Sequence, residues 1–167
     1  MIKMYRLRNL GYRSVALLAG ALLIGACSTA GHRPDESAAP VKHIDAAELR
    51  AWWQADRDIV LLDVRTEKEF LEDGRAPGAA LQTWSYNDKD ADVNALFVDE
   101  TRRRYSADQT LVVLCSHGMR ATQATQALES QAGFTSVYVF EGGYEGHHME
   151  GYPAGDGWKA AALPIHD

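Results

Sequence analysis

The chain has 167 residues, of which 46% are hydrophobic and 24% are charged. These proportions are ordinary for a soluble globular protein, and the length allows one domain with a proper core but hardly two. The formal net charge of −6 at pH 7 argues against nucleic acid as a partner. The consecutive arginines at 102–104 are therefore expected on a solvated helix face.

The N-terminus has the pattern of an export signal. Residues 1–14 carry four basic side chains and no acidic one, and residues 15–26 are an apolar run that ends in small residues. Twelve apolar residues make about 18 Å of helix, too short for a hydrocarbon core about 30 Å thick. The pattern predicts a signal peptide at 1–26 rather than a permanent transmembrane helix.

The end of this signal, Ile24–Cys27, resembles the bacterial lipobox. The resemblance implies that Cys27 is lipidated and becomes the first residue of a membrane-anchored, periplasm-facing protein of the cell envelope. Ser28, where an aspartate would favour inner-membrane retention, favours the outer membrane of a Gram-negative cell. The alternative is an ordinary signal peptide that is cut nearby, with Cys27 incidental.

Residues 27–42 are predicted to be a flexible tether after the lipidated cysteine, and residues 43–167 to be the folded domain. The tether is small, polar and proline-containing, with no apolar period. Removal of four basic and no acidic residues with the signal changes the net charge from −6 to −10. Lipidation of Cys27 would leave Cys115 as the one remaining thiol, so no disulfide could form within the chain.

Helix signals recur along the predicted domain. Asp45 is expected to cap a helix that buries Leu49 and Trp53 on one face. Thr66 and Glu69 have the spacing of a capping box at the start of a second helix. Further helices are predicted at 94–105 and at 119–132.

Strand signals alternate with these helices. Residues 58–64 and 110–115 are continuous apolar runs bounded by polar residues, as in strands buried on both faces. A third strand is predicted at 136–140, and a short one after the turn in 76–82. The alternation predicts an α/β fold, an open parallel sheet with helices on both faces.

Cys115 stands where the strand at 110–115 ends and a helix follows. In open α/β sheets this edge of the sheet forms the site crevice. The backbone amides of residues 116–120 can form a positively polarised cup there, with Gly118 allowing unusual backbone angles. We expect the cup to lower the pKa of the Cys115 thiol and to bind an anion, with Arg120 adding positive charge.

Residues 115–120, CSHGMR, resemble the C-x-x-G-x-R active-site loop of rhodanese-like sulfurtransferases. Residues 61–80 resemble that family's D-V-R-x-x-x-E-F-x-x-G-x-I-P-G-A signature, with Asp63, Arg65 and Glu69 in place.

Two further segments extend the resemblance to most of the chain. Residues 133–143 are similar to the family's G-F-x-x-V-x-x-L-x-G-G, and residues 157–165 to its closing W-x-x-A-G-L/Y-P. Ala76 replaces the usual Ile, and Ala162 replaces the usual Gly. The resemblance implies the rhodanese-like version of the open parallel sheet.

The resemblance also implies a mechanism in which Cys115 carries sulfur as a persulfide. The donor would be thiosulfate or a similar small sulfur-containing anion, and the acceptor would be cyanide or a thiol. No metal or organic cofactor is implied, and we expect a monomer. The residues implied to hold the persulfide and the donor are Ser116, His117, Gly118, Met119 and Arg120.

Asp63, Arg65 and Glu69 are interpreted as a structural cluster that ties a strand end to the following turn. Arg120 is either a substrate contact or the member of an ion pair that fixes the loop.

Other activities remain open. Phosphatases and arsenate reductases of this fold use a cysteine-to-arginine loop one residue longer than the six residues here, and Leu114 replaces the His that precedes the tyrosine-phosphatase loop, so these activities are disfavoured. A binding or sensor module that keeps the fold is a second alternative, although it would be free to lose Cys115. A thiol redox lipoprotein is disfavoured because no second cysteine could resolve a disulfide.

Two long loops, 83–94 and 144–157, are expected near the strand ends, where they could shape access for the acceptor. His147 and His148 lie in the second loop, and an exposed loop is favoured over a metal site because no partner ligands stand at a recognisable spacing.

Overall fold

The computed structural model describes residues 40–87, 92–147 and 154–164, which include a five-stranded parallel sheet. The predicted signal, Cys27 and most of the tether lie outside the described residues. Within the described residues, no helix is both long and apolar enough to cross a membrane. The strands are β1 (Lys42–Ile44), β2 (Ile59–Asp63), β3 (Ala80–Leu81), β4 (Thr110–Leu114) and β5 (Val137–Phe140), in the order β1-β5-β4-β2-β3.

Five helices connect or follow these strands in the described parts of the chain. α4 has the bounds that its alanine-rich period predicts, and it directly follows the Cys115 loop, which we define as residues 115–120. The helices are α1 (Ala46–Gln54), α2 (Glu67–Glu72), α3 (Phe97–Arg104), α4 (Met119–Ala132) and α5 (Gly157–Ala160).

Strand β4 is the centre of the sheet and is buried on both faces. It pairs with β2 on one side and β5 on the other, and all of Leu111–Leu114 is inaccessible to solvent. The continuous apolar run predicted a strand that is buried on both faces. A parallel strand between two layers of helices needs apolar side chains on both faces.

Apolar clusters lie on both faces of the sheet. On one face, Val113 packs in a cluster with Phe97 of α3 and Leu128 of α4. On the other face, Val112 packs in a cluster with Trp52 of α1 and Trp158 of α5. The predicted α/β architecture with helices on both faces is confirmed.

Local capping signals act as the sequence indicates. The Asp45 side chain accepts a hydrogen bond from the amide of Glu48, and Thr66 and Glu69 form a complete capping box at the start of α2. The arginines at 102–104 are exposed in the last turn of α3, as predicted.

Two short elements and one helix face differ from the sequence analysis. Neither the three-residue strand β1 nor the four-residue helix α5 was predicted, because elements this short have no period to detect. In α1, Trp52 joins Leu49 in the core, while Trp53 is half-buried against Trp158. Both tryptophans lie one turn from Leu49, so the period alone does not rank them.

Candidate active site

Cys115 follows the last residue of β4, and its side chain faces backbone amides. The Sγ atom accepts hydrogen bonds from the amide of Gly118 at 3.2 Å and from that of Ala121 at 3.4 Å. The residue is 1% exposed and belongs to the apolar cluster on the α4 face of the sheet. The thiol is thus enclosed by apolar side chains on one side and by N–H donors on the other.

Gly118 gives the Cys115 loop the turn that brings these amides together. Its φ of +102° lies in the region that side chains disfavour, and it is the residue immediately before α4. The first amides of α4 have no partners within the helix, so the turn aims them at the space in front of the sulfur.

Burial raises the pKa of the Cys115 thiol above its ordinary value. The amides of Ala121, His117 and Gly118 and the charge of Arg120 act in the opposite direction, but they do not cancel the cost of placing a thiolate in an enclosed site. The amides thus lower this pKa as expected, but burial outweighs them, so the net pKa of the Cys115 thiol is raised and not lowered. The donors reduce a penalty that burial imposes.

Glu69 is the centre of a hydrogen-bond network that holds the Cys115 loop in place. Its carboxylate accepts two hydrogen bonds from the Arg120 guanidinium, at 2.8 and 2.6 Å, and one from the Ser116 hydroxyl at 2.5 Å. The Thr66 amide and hydroxyl also donate to it. Burial alone would raise the pKa of Glu69, but the bonds from Arg120, Ser116 and Thr66 hold it well below the usual range.

This network decides what the loop side chains face. Arg120 forms the loop-fixing ion pair, one of the two alternatives left open, and the Ser116 hydroxyl is engaged by Glu69 and Arg120. The side chain of His117 is exposed and that of Met119 is half-buried.

Asp63 and Arg65 form a separate, fully buried ion pair. The Arg65 guanidinium donates to both carboxylate oxygens of Asp63 at 2.8–3.1 Å and to the carbonyl of Gly74 at 2.8 Å. Burial raises the pKa of Asp63, and the bonds from Arg65 oppose that rise. The pair ties the end of β2 to the turn after α2, as expected, whereas Glu69 serves the Cys115 loop instead.

A further set of contacts reaches the loop from the segment after β5. The amide of Tyr144 donates to the Cys115 carbonyl at 2.7 Å, and that of Glu145 donates to the Ser116 carbonyl at 2.9 Å. The sequence analysis expected the 144–157 loop near the strand ends but did not predict these two hydrogen bonds, since backbone contacts impose no side-chain type. The glycine pair at 142–143 was the one sequence feature that indicated a close approach of two backbone segments here.

His147 departs from the expected exposed loop, since it is only 4% exposed. Its amide and carbonyl pair with those of Gly155 in an antiparallel bridge. His148 lies outside the described residues. Within residues 40–87, 92–147 and 154–164, no group of three or more His, Cys, Asp or Glu side chains is arranged to hold a metal ion.

Comparison with known proteins gives the same family as the sequence motifs. Residues 45–150 match the model of the rhodanese-like domain. The chain is 30% identical over 117 residues to the thiosulfate sulfurtransferase GlpE of Glaesserella parasuis serovar 5, a match that covers 70% of this chain and 86% of that protein.

Solved structures support the fold. The crystal structure of Rv0390 from M. tuberculosis has a TM-score of 0.56 and 26% identity, and the match covers 75% of this chain and 98% of that one. The solution structure of a rhodanese-like domain from Anabaena has a TM-score of 0.56 and 23% identity, over 76% of this chain and 80% of that one. With the site at the end of β4 and the match over most of the domain, the chain belongs to the rhodanese-like domain family.

Proposed function

We propose that the protein is a sulfurtransferase that carries sulfane sulfur on Cys115. In the first step, the Cys115 thiolate attacks the outer sulfur of thiosulfate or a similar donor. A new S–S bond forms, the S–S bond of the donor breaks, and its electron pair leaves with sulfite. Cys115 then holds the transferred sulfur as a persulfide.

In the second step, an acceptor takes the outer sulfur. Cyanide or a thiolate attacks it, the persulfide S–S bond breaks, and the electron pair returns to Cys115 as a thiolate. Cyanide becomes thiocyanate, and a thiol becomes a persulfide. The cycle needs no net oxidant or reductant.

The observation that carries this proposal is the set of N–H donors around the Cys115 sulfur. The amides of Gly118 and Ala121 donate to Sγ, and such donors favour an anionic sulfur over a neutral one. The six-residue loop and the similarity to a thiosulfate sulfurtransferase add support.

The full chain with Cys27→Ser, purified in detergent, tests the activity without interference from a second thiol. Thiocyanate formation from thiosulfate and cyanide is expected, and Cys115→Ser should abolish it. Hydrolysis of a phosphate ester serves as the comparison reaction. Phosphate release at a rate comparable to or above thiocyanate formation would overturn the proposal in favour of a phosphatase.

We further propose that Cys27 carries lipid and that the domain faces the periplasm on the tether. The lipobox-like residues Ile24–Cys27 and the basic, then apolar, residues before them support this location. Donors and acceptors would then be small sulfur compounds or thiols of the envelope.

A further inference from the structure

Three carbonyl groups of the Cys115 loop are held by donors outside the sulfur site. The Cys115 carbonyl accepts from the Tyr144 amide at 2.7 Å, and the Ser116 carbonyl from the Glu145 amide at 2.9 Å. The Gly118 carbonyl accepts from the amide of Thr122 at 2.9 Å and from its hydroxyl at 3.0 Å.

The direction of a carbonyl determines the direction of the next amide. A trans peptide group is planar, and its C=O and N–H point to opposite sides. Holding the Ser116 carbonyl toward Glu145 therefore turns the His117 amide away from Glu145. The next amide along the loop, that of Gly118, donates to the Cys115 sulfur at 3.2 Å.

We propose that Gly143 and Thr122 are positioning residues. Gly143 lets the Tyr144 and Glu145 amides hold the start of the loop, and Thr122 holds the carbonyl of Gly118, whose own amide donates to Sγ. This inference rests on the proposed function, because it explains how the fold supports an ionised Cys115. Gly143 acts through the two amides that follow it, and Thr122 acts through the Gly118 carbonyl.

Gly143 is required because the backbone approaches too closely for a side chain. A Cβ atom there would lie 2.4 Å from the Cys115 carbonyl oxygen and 2.6 Å from that of Ser116. Its φ of +63° also disfavours any residue with a side chain. The adjacent amides of Tyr144 and Glu145 reach the loop only because position 143 is bare.

Helix α5 holds this segment against the loop. The Trp158 amide donates to the Gly143 carbonyl at 2.8 Å, and the Lys159 amide donates to the Tyr144 carbonyl at 3.2 Å. The Lys159 ammonium forms an ion pair with Glu145 at 2.7 Å. Donors at one edge of the segment thus face the loop, and acceptors at the other edge face α5.

Gly143→Ala tests the proposal, with Gly133→Ala as the control for backbone strain. Gly133 follows the last residue of α4 with φ +71°, close to the value at Gly143, and a Cβ there would meet nothing within 4 Å. The pH dependence of Cys115 alkylation by iodoacetamide is measured in the full chain carrying Cys27→Ser. Gly143→Ala should raise the midpoint by about one pH unit, since a bond to a charged group is weakened. Gly133→Ala should leave the midpoint at the wild-type value.

Thr122→Val provides a test that does not depend on Gly143→Ala folding. Valine has nearly the same shape but lacks the hydroxyl that bonds to the Gly118 carbonyl. The midpoint of alkylation should rise by about half a pH unit, less than in Gly143→Ala because the Thr122 amide still holds the carbonyl. Thr122→Ser keeps the hydroxyl and should restore the wild-type midpoint.

Two results would overturn the inference: equal shifts in Gly143→Ala and Gly133→Ala, or an unchanged midpoint in Thr122→Val. Alkylation does not require sulfur transfer, so the two proposals can fail separately. If the midpoints shift as expected but the protein forms no thiocyanate, the proposed function is overturned and the inference about the positioning residues stands.

Discussion

Cys115 is subject to two opposing electrostatic influences. Enclosure within the protein disfavours the thiolate, while the loop amides and Arg120 favour it, and the balance leaves the pKa of the thiol raised. A thiol of this kind is protected from small oxidants while it is neutral, because the thiolate is the reactive form. It reacts when it ionises in front of the amides that stabilise the anion.

The first prediction for individual residues concerns how the reactivity of Cys115 depends on pH. Because the pKa of Cys115 is raised, the thiolate fraction and hence the rate of attack on thiosulfate should increase as pH rises through the neutral and mildly alkaline range. The alkylation midpoint of the Cys27→Ser chain should lie above about 8.5, the ordinary value for a thiol. A midpoint near or below neutrality would show that the amides outweigh burial.

The raised pKa of Cys115 also determines how the stability of the folded protein changes with pH. A thiol whose pKa is raised in the folded state ionises first in the unfolded chain. Its contribution to stability is therefore fully present below the unfolded-state pKa and is lost as pH rises through the folded-state pKa.

The second prediction concerns Glu69. Its carboxylate holds Arg120 and Ser116, so Glu69→Gln removes the negative charge beneath the loop and leaves the Arg120 guanidinium without its counterion. The free energy of unfolding should fall by about 2–3 kcal/mol, and thiocyanate formation should fall at least tenfold in protein that is still folded.

Glu72 supplies the control on the same helix. It forms an exposed pair with Lys68 at 3.9 Å, so Glu72→Gln should change neither urea unfolding nor activity measurably. If Glu69→Gln retained full activity, the network would be a stabilising contact with no bearing on the loop.

At the scale of elements, the junction between β2 and α2 depends on the buried Asp63–Arg65 pair. Asp63→Asn should lower the free energy of unfolding by about 3–5 kcal/mol, since the Arg65 charge would remain buried without its partner. Urea unfolding followed by circular dichroism measures this change.

A double variant distinguishes the loss of the ion pair from the cost of leaving one charge buried without a partner. Asp63→Leu with Arg65→Met removes both charges and should cost less than Asp63→Asn alone, because no unpaired charge stays buried. A double variant as unstable as the sum of its two single variants would contradict this explanation.

The elements differ in how much of them the sequence predicts. Strands β2 and β4 and helix α4 were identified because long apolar runs and a clear helical period are local signals. The association of Glu69 with Arg120 was not identified, although each residue was singled out. It joins residues 51 positions apart, and only the packing of α2 against the loop brings them together.

The hydrogen bonds from the 143–145 segment to the Cys115 loop show a second limit on what the sequence predicts. Backbone donors and acceptors can belong to almost any residue type, so they leave no mark in the sequence except where a close approach demands glycine. Gly143 is such a mark, but a glycine pair after a strand is also typical of an ordinary turn.

At the scale of the whole molecule, the proposed lipid anchor would join an acidic domain to a membrane through residues 28–41. Cys27→Ser should move the protein from the membrane fraction to the soluble fraction after signal cleavage, or trap the uncleaved precursor. Incorporation of labelled palmitate into wild-type protein and its loss in Cys27→Ser is the accompanying measurement. Unchanged labelling in Cys27→Ser would contradict the anchor without affecting the proposed chemistry of Cys115.

The central claim is that Cys115 carries a transferable sulfur atom, and intact mass spectrometry tests it most directly. The full chain with Cys27→Ser is treated with thiosulfate, desalted and weighed before and after addition of cyanide. We expect one added sulfur atom per chain, its removal by cyanide, and no addition in the chain that also carries Cys115→Ser. A mass unchanged by thiosulfate across the pH range in which Cys115 can be alkylated would contradict the account.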